Sequence, residues 1–200
     1  MTDKEFNVND ISINDLDKIA EIWLETLPYN FKAIIGRKII INYINEILKS
    51  SIFLKKDIYK SNKLLGFVFF GNDDDIIKKL FSRNFTYIIF CFLKDLLKLK
   101  FKKMSCYVDV SIYLIVNFLK KRKVENSSEL LIIAISKNKQ NNNLGSRLIT
   151  ESLKDNYFAQ INKISVVTLK SAKENINFYE KNNFKIIDNI YGRVLLELSF

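Results

Sequence analysis

Histidine is absent from all 200 residues. That removes the usual general base of serine and cysteine hydrolases and the commonest zinc ligand. Any catalysis must rest on carboxylates, Tyr, Lys, Cys, backbone groups or a cofactor, and no metal site is expected. Cysteine is scarce too: Cys91 and Cys106 are the two thiols, too few for a disulfide scaffold and in keeping with a reducing compartment. Apolar runs such as 87–93 fall far short of the roughly 20 residues that cross a bilayer, and Lys94 and Asp95 then interrupt. Asp3 and Glu5 stand where a secretory leader would be positive. Export and stable membrane insertion are therefore not expected, and a cytoplasmic location is.

What is present is apolar and basic. Hydrophobic residues make up 48 % of the chain and Phe alone contributes 16, enough to offset the ordering entropy of a packed core. The length suits one domain over 1–200, with or without an elaboration. The net charge of +10 raises nucleic acid and anionic membranes as partners. The excess is almost all Lys and comes with abundant Ile, Asn and Phe, the bias of adenine- and thymine-rich coding. No nucleic-acid partner is expected, although a polyanionic ligand is favoured.

Asn14 or Asp15 is placed to cap a helix carrying Leu16, Ile19, Ile22, Trp23 and Leu27 at helical spacing, with Pro28 past its end. A second helix is expected over 31–48, where Ile34, Ile35, Ile39, Ile40, Tyr43, Ile44 and Ile47 form a broad apolar face. Strands at 51–58 and 63–71 around Ser61 and Asn62 read as a hairpin. From 73 to 128 strand alternation gives way to Lys-rich apolar stretches that suit two or three helices, begun by Asp73 to Asp75. Regular alternation then returns: a strand at 130–136, a helix at 144–157, a strand at 163–169, a helix at 172–181, and strands at 185–190 and 194–200.

The run Leu130, Leu131, Ile132, Ile133, Ala134, Ile135 is apolar on both faces, as a central strand requires. A polar turn follows: Gln140, Asn141, Asn142, Asn143, Leu144, Gly145 and Ser146, leading into Leu148 and Ile149. Free N–H groups and the dipole at a helix start form a site for phosphate. Gly145 supplies backbone without bulk for an approaching anion. By themselves these features define only a generic anion site.

The turn resembles the acyl-CoA signature of the GCN5-related N-acetyltransferases (GNAT): R or Q, two residues, G, one residue, then G or A. Gln140 and Gly145 take the outer positions, and Asn143, the non-glycine residue most tolerant of a left-handed backbone, replaces the middle glycine. A second block, Asn175, Ile176, Asn177, Phe178, Tyr179, Glu180, Lys181, Asn182, Asn183, Phe184, is similar to the family's AIxFYEKxGF segment. Asn183 replaces its Gly, and Ala172 stands where an Asn touching the cofactor is often found. The resemblance covers most of the chain outside 73–128.

It implies an α+β fold with a central mixed sheet of six or seven strands flanked by helices, a helical insertion at about 73–128, and acetyl-CoA as acyl-donor cosubstrate. The cofactor would be held by Ile133, Ala134, Ile135, Gln140, Asn141, Asn142, Asn143, Leu144, Gly145, Ser146, Ala172 and Asn175, with pantetheine between splayed strands. Tyr179 is implied as the acid that protonates the leaving thiolate, and Glu129 as the base for the acceptor amine. An amino-sugar nucleotide is the favoured acceptor on fold analogy, and a homodimer is left open. Two alternatives stay open: a catalytically impaired acyl-CoA-binding module, and a basic domain whose region 85–103 meets a membrane or nucleic acid. The simpler reading of 85–103 packs its Phe and Leu on the core with Lys toward water.

Overall fold

The near-continuous apolar runs at 64–70 and 130–135 become adjacent strands in the middle of one sheet. The computed structural model describes residues 6–28, 30–98, 107–108 and 126–200. They fall into two compact units: residues 6–11 with 51–72 and 126–200, and residues 12–28 and 30–50 with 73–98 and 107–108.

The first unit holds seven strands: β1 (Asn7–Asp10), β2 (Leu54–Lys60), β3 (Lys63–Gly71), β4 (Ser127–Ile135), β5 (Lys163–Leu169), β6 (Lys185–Ile190) and β7 (Arg193–Ser199). Their order is β1-β2-β3-β4-β5-β7-β6. Every neighbouring pair is antiparallel except β4 with β5. Ser61 and Asn62 join β2 to β3 with φ of 48° and 60°, the left-handed pair that a tight hairpin turn requires. Two helices belong to this unit, α5 (Leu144–Ser152) and α6 (Lys173–Lys181). Leu144, Leu148, Ile149, Ile176 and Tyr179 from these helices share one buried cluster with Leu130, Ile164, Val166, Val194 and Leu196 of the sheet. Lys56 on β2 ties Asp10 to Asp155, 2.8 Å from each carboxylate.

Boundaries shift where local chemistry intervenes. The helix expected over 144–157 stops at Ser152, because Asp155 accepts the Tyr157 N–H and starts a separate 3₁₀ turn at Asn156–Gln160. β2 begins at Leu54 rather than 51, and β4 begins at Ser127, three residues early.

The second unit is helical: α1 (Leu16–Thr26), α2 (Phe31–Ile35), α3 (Arg37–Lys49) and α4 (Asp74–Leu97). The single helix expected over 31–48 is two, broken at Gly36 (φ 128°, ψ 171°), a conformation side chains resist. Asp15 stands at the N-cap of α1 but makes no side-chain capping bond; Ser12 caps the 3₁₀ turn Ile13–Asp15 that leads into the helix, accepting the Asn14 N–H. Asp15 instead holds Lys18 at 2.9 Å. Trp23 meets Tyr43 edge-on at 5.7 Å, Lys32 Nζ lies 4.0 Å from the Tyr43 ring centre, and the Tyr43 hydroxyl donates to Asp73. In the described part of 73–128, α4 runs for 24 residues with a non-helical Asn84 (φ −116°), whose amide donates to the Leu80 carbonyl at 2.9 Å. Phe85, Phe90 and Leu97 are 60 %, 61 % and 84 % exposed, against the expectation that they pack on the core. Cys106 and residues 99–103 lie outside the described residues. Cys91 is a free, half-buried thiol, its Sγ 3.5 Å from the Ile35 carbonyl.

Candidate functional site

β4 and β5 pair for three residues only: Ser127 with Lys163, Ser128 with Ile164 and Glu129 with Ser165. Beyond Glu129, β4 continues against β3 to Ile135 while β5 continues against β7 to Leu169. The two strands therefore part. A bulge accompanies the parting: Phe69 opposes Ile132 and Phe70 opposes Leu130, leaving Leu131 as an extra residue. A bulge bends its strand and raises the local twist. It also shifts the side-chain alternation, so that Leu130, Ile133 and Ile135 all meet the α5 and α6 core.

The backbone on the open side follows from alternation. The Ser136 N–H donates to the Leu65 carbonyl at 2.8 Å. Successive residues of a strand point their N–H groups to opposite sides. Ala134 therefore turns its N–H toward β3, while Ile133 and Ile135 turn theirs away, into the parting. The Gln140 amide reaches the Ile135 carbonyl from that same side at 3.0 Å.

The strand leads into the polar loop. Asn141 and Asn143 both adopt the left-handed conformation, φ 63° and 55°. The Asn142 amide donates to the carbonyls of Lys139 (3.2 Å) and Gln140 (3.1 Å). With those carbonyls tied inward, the loop resembles the anion-binding nests formed by consecutive N–H groups. Asn143 stands at the N-cap of α5 with no side-chain capping bond, and the first chain bond from this end is Arg147 N–H to the Asn143 carbonyl at 3.0 Å. Among the described residues no acceptor is found for the N–H groups of Leu144, Gly145 and Ser146. Three aligned donors at the positive end of a helix dipole suit a phosphate.

Gly145 has a packing role beside the one its sequence position suggests. A Cβ on it would lie 3.0 Å from Cε2 and Cζ of Phe178. Its bareness seats α6 against α5, as well as sparing the loop bulk. The C-terminal end of α6 explains Asn183: Phe184 N–H bonds the Tyr179 carbonyl (3.1 Å) and Asn183 N–H the Glu180 carbonyl (3.0 Å), with Asn183 at φ 67°. That is a Schellman closure with its left-handed residue supplied by Asn. Tyr179 itself is buried between Phe178 and Phe184, ring centres 5.3 and 5.6 Å away. Burial pushes its phenol up from the ordinary value, so it remains protonated at neutral pH. Among the described residues nothing hydrogen-bonds its hydroxyl. Ala172 occupies the N-cap of α6, and the Asn175 amide meets Thr168 Oγ1 at 3.5 Å.

Glu129 is half-buried at the point of divergence. Sheet registry puts Gly71, Glu129, Ser165, Glu197 and Lys185 in one row across five strands. Partners in register share a face of the sheet, and this face is opposite the one carrying Ile164, Val166 and Leu196. Lys163 holds both oxygens of Glu197, at 3.1 and 3.3 Å. The sequence alone does not mark Ser165, Glu197 or the bulge at Leu131, since each takes its place from strand pairing.

No protein-family model matches the chain, and no curated protein matches it in sequence. Solved structures match its fold along nearly the whole length. The PaiA N-acetyltransferase of Thermoplasma acidophilum, crystallised with coenzyme A, aligns with a TM-score of 0.61 at 15 % identity over 100 % of both chains. The ribosomal-protein-S18-alanine N-acetyltransferase of Escherichia coli aligns with a TM-score of 0.59 at 11 % identity, over 97 % of this chain and 93 % of its own. An acetyltransferase of the GNAT family from Streptococcus pneumoniae gives 0.56 at 14 % identity, over 98 % and 100 %. The architecture is therefore α+β, a mixed sheet flanked by helices. More narrowly, it is the fold of the GCN5-related N-acetyltransferases.

Proposed function

We propose that this chain is an acyl-CoA-dependent N-acyltransferase that moves an acetyl group from acetyl-CoA to a primary amine of a small molecule. The observation that carries the reading is the parting of β4 and β5 after Glu129 and Ser165, continuous with a loop that leaves three helix-start N–H groups open. An unpaired strand edge suits an extended, amide-bearing arm, and the loop suits a pyrophosphate. Coenzyme A has both. When bound, acetyl-CoA supplies an activated thioester.

The chain's own residues then divide the work. Leu144, Gly145 and Ser146 offer backbone donors to the pyrophosphate, with Gln140, Asn141, Asn142 and Asn143 shaping the loop. Ile133 and Ile135 present backbone N–H groups to the donor's arm, and one of them serves as oxyanion donor. Ala134 contributes position, its own N–H being turned to β3, while Ala172 and Asn175 border the far wall. Glu129 takes the amine proton, directly or through water. Tyr179, kept neutral by burial, donates a proton to the departing sulfur. The left-handed backbones of Asn143 and Asn183 supply what glycine would, which favours a working enzyme over an impaired binding module. For the acceptor we propose an amino-sugar nucleotide, by analogy with bacterial proteins of this fold that carry long insertions at the place of 73–128.

The test is thiol release from acetyl-CoA with a panel of primary amines that includes an amino-sugar nucleotide, comparing wild type with Glu129→Gln. Amine-dependent release that falls at least tenfold in the variant is expected. Release equal in both proteins rejects Glu129 as the base, and no release with any amine rejects the transferase reading.

A further inference from the structure

Gln140 closes part of the strand edge that the parting of β4 and β5 opens. Its side-chain amide turns back over five residues and donates to the Ile135 carbonyl at 3.0 Å. In a strand the N–H and carbonyl of one residue point to the same side, so the Ile135 carbonyl faces the parting with its N–H. Among the described residues this is the one hydrogen bond of the Gln140 side chain.

The contact is a local closure and no part of the packing. Gln140 is exposed, and its backbone is held without help from its side chain. Its N–H lies 3.4 Å from the Lys137 carbonyl, and its own carbonyl accepts from the Asn142 amide at 3.1 Å. The loop therefore keeps its place when the side chain swings out. A single exposed hydrogen bond on a fixed backbone exchanges partners at little cost.

An extended arm lying along this edge needs what Gln140 holds. The edge offers the N–H and carbonyl groups of alternate residues, here Ile133 and Ile135. An arm that carries amides pairs with the carbonyls as well as with the N–H groups. Ile135 is the last residue of β4 before the polar loop, and the donor now on its carbonyl is an amide N–H, the same group that the arm would bring.

We infer that Gln140 is an internal stand-in for the acyl donor's arm: it occupies the Ile135 carbonyl in the free protein and yields it to an arm amide when acetyl-CoA binds. The inference rests on the acyl-CoA reading of the site and adds to it a competition between side chain and ligand. A protein whose binding-competent form is only part of its population binds more weakly by that fraction. Freeing the carbonyl therefore tightens binding.

The experiment is calorimetric titration of wild type, Gln140→Met and Gln140→Ala with acetyl-CoA and with ADP, which has the diphosphate without the arm. Met keeps the length and loses the donor, while Ala removes the side chain. Both variants are expected to bind acetyl-CoA roughly two- to tenfold more tightly than wild type, the worth of one exposed hydrogen bond, and to show no gain for ADP. Equal or weaker acetyl-CoA binding in both variants overturns the inference and leaves the acyl-CoA reading standing. So does an equal gain for ADP, which would place the effect in the loop's affinity for phosphate. Acetyl-CoA binding by none of the three proteins overturns both.

Discussion

The α-carbon of Gly145 faces the ring of Phe178, with room for nothing between them: a methyl there would sit 3.0 Å from two ring carbons. The contact joins the two sequence blocks that resemble acyltransferase motifs, so the helix that opens the proposed anion site is seated on the helix that carries Tyr179. Gly145→Ala should lower stability by about 1 kcal/mol, as overpacking of 1–3 kcal/mol outweighs the helix preference for Ala. In a Phe178→Ala background the same change should be neutral or stabilising. Urea unfolding of the four proteins checks this, and equal effects in both backgrounds would remove the contact from the account.

The left-handed asparagines give the second prediction. Asn143→Gly and Asn183→Gly should leave stability within about 0.5 kcal/mol of wild type. Asn143→Val should cost about 1–2 kcal/mol, since a β-branched residue resists φ near 55°. Coenzyme A affinity should survive Asn143→Gly and fall in Asn143→Val, measured by calorimetry.

Tyr179 supplies the third. Tyr179→Phe should slow turnover by roughly 10²-fold with coenzyme A affinity changed less than about twofold. The pH dependence has a defined sign. Burial raises the phenol in the folded protein, so its share of stability is complete below the unfolded value near ~10 and is lost as pH rises beyond it. Alkaline unfolding should therefore come at higher pH in Tyr179→Phe.

The clamp around Lys56 gives the fourth. Hydrogen bonds from Lys56 and from the Tyr157 N–H hold the Asp155 carboxyl below its ordinary value. A lowered carboxyl stabilises above its unfolded value near ~3.9 and loses that contribution as pH falls. Asp155→Asn should cost about 1 kcal/mol at pH 7 and have little effect at pH 2, read from urea midpoints at the two pH values.

The strands were legible because 64–70 and 130–135 carry apolar side chains on both faces, a pattern that places them centrally. The loop and α6 were legible through residue types at fixed spacing. Gly36 was not: an isolated Gly inside a helical pattern signals no break until its neighbours force the turn. Neither were the bulge at Leu131 nor the row through Glu129, Ser165 and Glu197, which exist only once strands from distant parts of the chain pair. The exposed face of α4 misled the sequence reading, since an apolar stripe states its period and not what covers it.

Coenzyme A binding at the start of α5 tests the proposed function most directly. Ser146→Asp places a carboxylate in the first helical turn, which the dipole welcomes and a pyrophosphate does not. In unfolding titrations with acetyl-CoA at a hundredfold excess over its dissociation constant, wild type should gain about 2.7 kcal/mol. Ser146→Asp, equally stable without ligand, should gain almost nothing. No stabilisation of wild type, or equal stabilisation of both proteins, would contradict the proposed site.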